Sequence, residues 1–227
     1  MPKSLERAHE YLHIWDIALA AAENVGQVWR LSSDWLFSVE RPIEGVQMKV
    51  VPGSRTLTSA EITHTIEETY LPYGGLIVLD TTDAHGKSIY RELRKAGYPV
   101  LDFGFQERDT RRIIRKDAAI HSTRAVLTEG MEAKRDAKGE MILDPDGVPI
   151  FDRTKPYGAL KLPAMWTRPR DQLAMLQVED TKQRKDAAMV VLMGCDVAVR
   201  QRRAHHRQGS KNQRLDVFAG GRRYGGH

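Results

Sequence analysis

Between Tyr11 and Arg41 the chain carries three short apolar segments joined by connections of only a few residues, and this spacing restricts the fold more than any other feature. Residues 11–19 and 25–31 are rich in aliphatic and aromatic positions and are separated by Ala-Glu-Asn, with Gly26 just after; residues 35–41 follow almost at once. Parallel neighbours need a crossover of about a dozen residues or more, so strands joined this tightly must form an antiparallel meander.

The pattern then changes. Pro52-Gly53 marks a loop, Thr58 with Glu61 forms a capping box, and Ile62, Ile66 and Tyr70 make an apolar helical stripe that Pro72 ends. A strand over 75–80, a helix over 87–96 closed by Gly97, and a strand over 99–104 make a β-α-β unit, whose strands are expected to be parallel. A charged helix from Thr110 to Met131 follows. Asp144-Pro145-Asp146-Gly147 then signals a polar, protruding β-hairpin insertion over about 134–157. One helix is expected to start at Pro169 or Arg170 and a last one to run from Thr181 to Arg203, with no internal repeat. This order is similar to that of the ribonuclease H-like fold: an α/β architecture with a mixed central sheet, three antiparallel strands then parallel ones, flanked by helices. In that fold the first and fourth strands lie side by side.

With 227 residues, 41% of them hydrophobic, the chain can bury one large core. The expected division is a domain over 1–203 and a basic tail over 204–227, whose Arg, Gly, Ser and Asn composition predicts no packed structure. The net charge of +5 permits a polyanionic partner such as DNA. Cys195 is the single cysteine, which excludes a disulfide framework and argues against a cysteine zinc site. No apolar stretch is long enough to span a bilayer, so the expectation is a cytoplasmic protein with no membrane partner.

Three aspartates stand out. Asp16 closes Tyr-Leu-His-Ile-Trp-Asp, Asp80 closes Gly-Leu-Ile-Val-Leu-Asp, and Asp186 lies on one helical stripe with Val190, Met193 and Val197. Taken singly, Asp80 reads equally as a turn residue and Asp186 as a charge favoured by a helix N-terminus. Asp16 resists such a reading, because strands are depleted in aspartate. Carboxylates gathered at the ends of apolar runs are costly unless solvated, paired or bound to a cation, which points to a divalent-metal site. Asp83 competes with Asp80 for the second position; Glu23, Asp102 and Asp109 read as solvated loop or cap residues, and Asp196 as surface.

On His-Ile-Trp-Asp16, Ile-Val-Leu-Asp80-Thr-Thr-Asp-Ala-His-Gly86 before a helix and the strand Gly97-Tyr-Pro-Val, and Arg-Lys-Asp186-Ala-Ala-Met near the end, the chain resembles the C-terminal nuclease domain of the large terminase subunit of tailed bacteriophages. The resemblance covers roughly residues 10 to 200. It implies that Asp16, Asp80 and Asp186 hold two Mg²⁺ or Mn²⁺ ions and cleave double-stranded DNA during genome packaging in the cytoplasm of an infected bacterium; Asp83, three residues after Asp80, is a further candidate metal ligand by its position. It further implies a terminase ATPase domain or subunit, a small terminase subunit and a portal protein as partners. The family's ATPase domain has no counterpart here, so this chain is not expected to package DNA by itself. In the implied mechanism one ion activates a water and the other, about 4 Å away, stabilises the departing 3′ oxygen.

Lys87, Arg112 and Lys116 are candidate DNA contacts, against the simpler reading of a solvated helix face. Ala-His-Gly86-Lys87-Ser88 after a strand also suggests a phosphate-binding loop, but Thr81 stands where its first glycine belongs and Asp83 would sit in the phosphate cradle. Two alternatives remain open: another ribonuclease H-like nuclease, such as a junction resolvase or RNA–DNA hybrid cutter, and a noncatalytic DNA-binding or assembly module.

Overall fold

The computed structural model describes residues 9–17, 23–32, 34–52, 57–104, 116–147, 149–174 and 186–219. Strands β1 (His9–Asp16), β2 (Glu23–Ser32) and β3 (Ile43–Pro52) form the antiparallel meander; β4 (Leu76–Asp80) and β5 (Val100–Phe103) follow, and β6 (Leu160–Lys161) completes the set. The sheet order is β5-β4-β1-β2-β3-β6, with β1–β4, β4–β5 and β3–β6 parallel. The first and fourth strands are therefore central neighbours, as expected.

Helices cover both faces. Alternation along β1 and β4 sends Leu12, Ile14 and Val78 into one core, shared with Trp29, Val190, Met193 and Val197, and sends Trp15, Ile77 and Leu79 into another, shared with Ile62, Ile66, Ile89 and Leu93. The second core lies under α1 (Ser59–Tyr70) and α2 (Ala84–Lys95); the first lies under α5 (Asp186–Ala219). Thr58 and Glu61 make the reciprocal capping box at the start of α1. Helices α3 (Lys116–Leu127) and α4 (Thr167–Ala174) pack on the outer side of α5.

This second covering layer corrects one expectation. From Ala187 to Val199 nearly every α5 side chain is buried, and so is Asp196, expected at the surface. Ser122 of α3 donates to Asp196 Oδ1 at 2.9 Å, and Arg200 pairs with Asp196 Oδ2. A helix apolar on all sides is a helix buried on all sides, and Asp196 is tolerated there because it is paired.

Other boundaries moved. Residues 35–41 are no strand: Ser32 and Asp34 knot a turn with Leu36, and Trp35 adopts a φ of 56°. Trp35 and Phe37 nonetheless bury, as loop anchors. The third strand lies at 43–52, disguised by Glu44, Gln47 and Lys49. Helix α2 starts three residues before the expected position because Asp83 caps it. The start of the helix expected from Thr110 lies outside the described residues. Helix α5 continues beyond Arg203 to Ala219, where Arg, Gln and Lys, good helix formers, outweigh the two glycine and serine interruptions at Gly209 and Ser210.

The insertion is hairpin-like at each turn, with antiparallel bridges Ala133–Phe151, Arg135–Met141 and Leu143–Pro149. It also repeats, contrary to expectation. Asp136, Asp144 and Asp152 recur every eight residues, and each side chain accepts from the amide two residues ahead. Lys134 N–H donates to the Ile150 carbonyl, Ile142 to Lys134, and Ile150 to Ile142, closing three octads into a ring of turns. Only three repeats with variable side chains make this periodicity hard to see in sequence.

Candidate metal centre

Register builds the site. Trp15 pairs with Leu79 across β1 and β4, so Asp16 and Asp80, one residue further, emerge side by side at the C-terminal ends of adjacent parallel strands. Both continue the alternation of Leu12 and Ile14, and of Leu76 and Val78, and so face α5. Helix α5 is described from Asp186, the expected start at Thr181 lying outside the described residues, and it packs on β1 and β2. Its approach is close, since a Cβ at Gly194 would fall 2.4 Å from the Trp29 ring and 2.8 Å from Ile14.

Asp16 and Asp80 are 8% and 9% exposed, whereas the Asp186 side chain is 22% exposed. Burial, then the charges of Asp80 and Asp186, push the Asp16 carboxyl well above the usual carboxylate range, with a hydrogen bond to Asp80 and the charge of Asp83 adding to the shift. Asp80 is also raised, by burial, against hydrogen bonds donated by the Thr82 amide at 2.8 Å and hydroxyl at 2.6 Å to its Oδ1. Both carboxyls are raised mainly by burial, and the negative charge of each neighbour adds to the shift of Asp16. In the absence of a cation, a proton offsets the repulsion between two buried carboxylates.

Among the described residues, no three His, Cys, Asp or Glu side chains close into a ready-made metal cage. The mutual effect of Asp16, Asp80 and Asp186 nevertheless places their charges within interacting range. An all-carboxylate donor set suits hard divalent ions.

Asp83 is placed differently from Asp80. It caps α2, its Oδ1 accepting from the Gly86 amide at 2.8 Å, and its charge bears on Asp16 and Asp80. That cap also weighs against a phosphate-binding loop, because the Gly86 amide is engaged by Asp83 Oδ1 and the Lys87 amide by the Asp83 carbonyl. Gly86 does not serve a left-handed turn: a Cβ there would lie 2.1 Å from the Asp80 carbonyl oxygen, so its role is close approach of α2 to the end of β4.

Lys87 is exposed on α2, and Asp102 is exposed on β5. Arg112 and Asp109 lie outside the described residues, as does the side chain of Lys116 at the start of α3. Glu23, set aside as a solvated loop residue, opens β2 and pairs with Arg168 of α4, whose Nη2 lies 2.7 Å from Glu23 Oε2 and 3.8 Å from Asp186 Oδ2. No sequence signal links Arg168 to this site; only the packing of α4 on α5 brings it there. A separate cleft of about 540 Å³ in the insertion, lined by Glu132, Lys134, Arg135 and Lys155 among others, contains none of the three aspartates.

The central β4-β1-β2-β3 order, with β1 and β4 parallel and the meander antiparallel, decides the architecture. The fold is ribonuclease H-like. Neither a family model nor a curated protein matches the sequence. Among solved structures, the zinc-bound large terminase nuclease from thermophilic phage G20c is 16% identical at a TM-score of 0.47, covering 82% of this chain and 80% of that one. Thermus thermophilus RuvC is 9% identical at 0.38, covering 82% and 92%. The large terminase of thermophilic bacteriophage D6E is 15% identical at 0.34 over 46% of this chain, which spans only 24% of that protein. The fold assignment rests on the strand order, which these similarities accompany. Among the described residues no helix is long and apolar enough to cross a membrane.

Proposed function

We propose that this chain is a divalent-metal-dependent endonuclease that hydrolyses phosphodiesters of double-stranded DNA, with Asp16, Asp80 and Asp186 as the metal ligands. The observation that carries the reading is the pair of buried carboxylates, Asp16 and Asp80, side by side at the ends of β1 and β4 and facing α5. Burying two such groups against each other lowers stability, and a cation between them turns that cost into a binding site.

Bound Mg²⁺ or Mn²⁺, two ions in this reading, would supply an activated water and stabilise the leaving oxygen. The chain's own groups do the rest. Thr82 fixes the Asp80 carboxylate by two hydrogen bonds to one oxygen. Asp16 must release its proton for loading, so metal affinity increases with pH. Asp83 adds negative charge from the α2 cap, and Lys87, Arg112 and Lys116 are proposed to contact the DNA backbone. Following the motif resemblance, the proposed context is a phage terminase in an infected bacterial host, with an ATPase domain or subunit, a small subunit and a portal protein as partners.

Supercoiled plasmid incubated with the protein and Mn²⁺, Mg²⁺ or EDTA tests the reading. Nicked and linear products are expected with either ion and none with EDTA. Intact plasmid under all conditions, from a folded protein, would overturn it and leave a noncatalytic DNA-binding module.

A further inference from the structure

The carboxylates of Asp16, Asp80, Asp83, Asp186 and Glu23 gather around one end of the sheet, and a phosphodiester approaching them brings a further negative charge. A cation held at the rim would offset that repulsion. Arg168 is such a cation: it stands on the first turn of α4, its side chain is 30% exposed, and it reaches β2 and α5 at once. Glu23 lies two residues before Val25, which is the register partner of Asp16, so the anchor belongs to the same sheet end as the carboxylate pair.

The two contacts differ in kind. At 2.7 Å the Glu23 contact is a charge-assisted hydrogen bond, whereas 3.8 Å to Asp186 is coulombic only. Both contacts are made by the same Nη2, with Glu23 the nearer acceptor, which leaves Nη1 and Nε out of them. The planar fork of the guanidinium matches the two non-bridging oxygens of a phosphodiester, a geometry lysine cannot reproduce.

We propose that Arg168, oriented by Glu23, contacts the phosphodiester at the acidic site and that Glu23 is its positioning residue. This rests on the nuclease reading above. Glu23 also keeps Arg168 from collapsing onto Asp186, where it would compete with the metal.

The test compares wild type with Arg168→Ala, Arg168→Lys and Glu23→Gln. Duplex affinity is measured across a KCl series without metal, plasmid cleavage with Mn²⁺, and the rise in Tm during Mn²⁺ titration. Arg168→Ala should flatten the slope of log affinity against log salt by about 0.9, one phosphate contact, and slow cleavage at least tenfold. Arg168→Lys, which keeps the stem and charge, should retain the slope but recover only part of the rate. Glu23→Gln should raise several-fold the Mn²⁺ concentration that half-saturates the Tm shift, an effect a purely structural link would not produce. Wild-type cleavage matched by Arg168→Ala and Arg168→Lys, with an unchanged salt slope, would overturn the proposal while sparing the nuclease reading. Absence of metal-dependent cleavage by wild type would overturn both.

Discussion

Gly86→Ala tests how tightly the site depends on the seating of α2. The substituted Cβ would meet the Asp80 carbonyl oxygen at 2.1 Å, whereas such contacts do not form below 3.0 Å, so the first turn of α2 and the end of β4 must separate by about 0.9 Å. The strand resists, because Asp80 is paired with Phe103 and the Thr81 amide donates to the Phe103 carbonyl at 2.9 Å. The helix therefore moves, taking Asp83 with it and disturbing Asp80. Overpacking costs about 1–3 kcal/mol, and alanine returns about 1 kcal/mol of helix propensity. The net loss of about 1 kcal/mol corresponds to a Tm lower by about 2–4 °C at this size. Misplacement of about 1 Å at a reacting centre can cost about 10²-fold in rate. Plasmid cleavage with saturating Mn²⁺, beside thermal unfolding, should show activity falling far more than stability. Cleavage within twofold of wild type at an unchanged Tm would show that the site tolerates a displaced α2.

Asp16→Asn should abolish cleavage yet stabilise the metal-free protein at neutral pH. Because burial and neighbouring charge raise the folded Asp16 carboxyl above the usual carboxylate range, its favourable contribution is complete below that range and is lost as pH rises through the raised value. Unfolding in EDTA from pH 4 to 8 should therefore show a decline in wild type that is flatter in Asp16→Asn, and parallel profiles would contradict it. Ser122→Ala removes a buried partner of Asp196 and should destabilise by about 1–3 kcal/mol in urea titration without changing cleavage per folded molecule. Deleting residues after Arg203, proposed as the edge of the nuclease domain, should leave the core folded and flatten the salt dependence of DNA affinity; an identical slope would exclude 204–227 as a DNA contact and leave portal docking as its role.

Sequence made the central sheet legible because its determinants are local: short connections force antiparallel pairing, and the capping box at Thr58 and Glu61 announces α1. Asp16 and Asp80 could be placed because each ends an apolar run, and the observed register puts them side by side. Where packing overrides pattern, the reading failed. Trp35 and Phe37 are apolar for the core yet lie in a loop, and Asp196 is buried because α3 covers a face of α5 that periodicity assigns to solvent. Glu23 and Arg168 are 145 residues apart, and nothing but tertiary contact connects them.

Asp16, Asp80 and Asp186 are proposed to hold the catalytic cation. Crystals soaked in Mn²⁺ and measured for anomalous scattering test it most directly. Strong peaks are expected within ligand distance of Asp16 and Asp80, with Asp186 beside them, and should vanish in Asp16→Asn. Crystals that bind Mn²⁺ only elsewhere, from a protein that still cuts plasmid, would contradict this assignment.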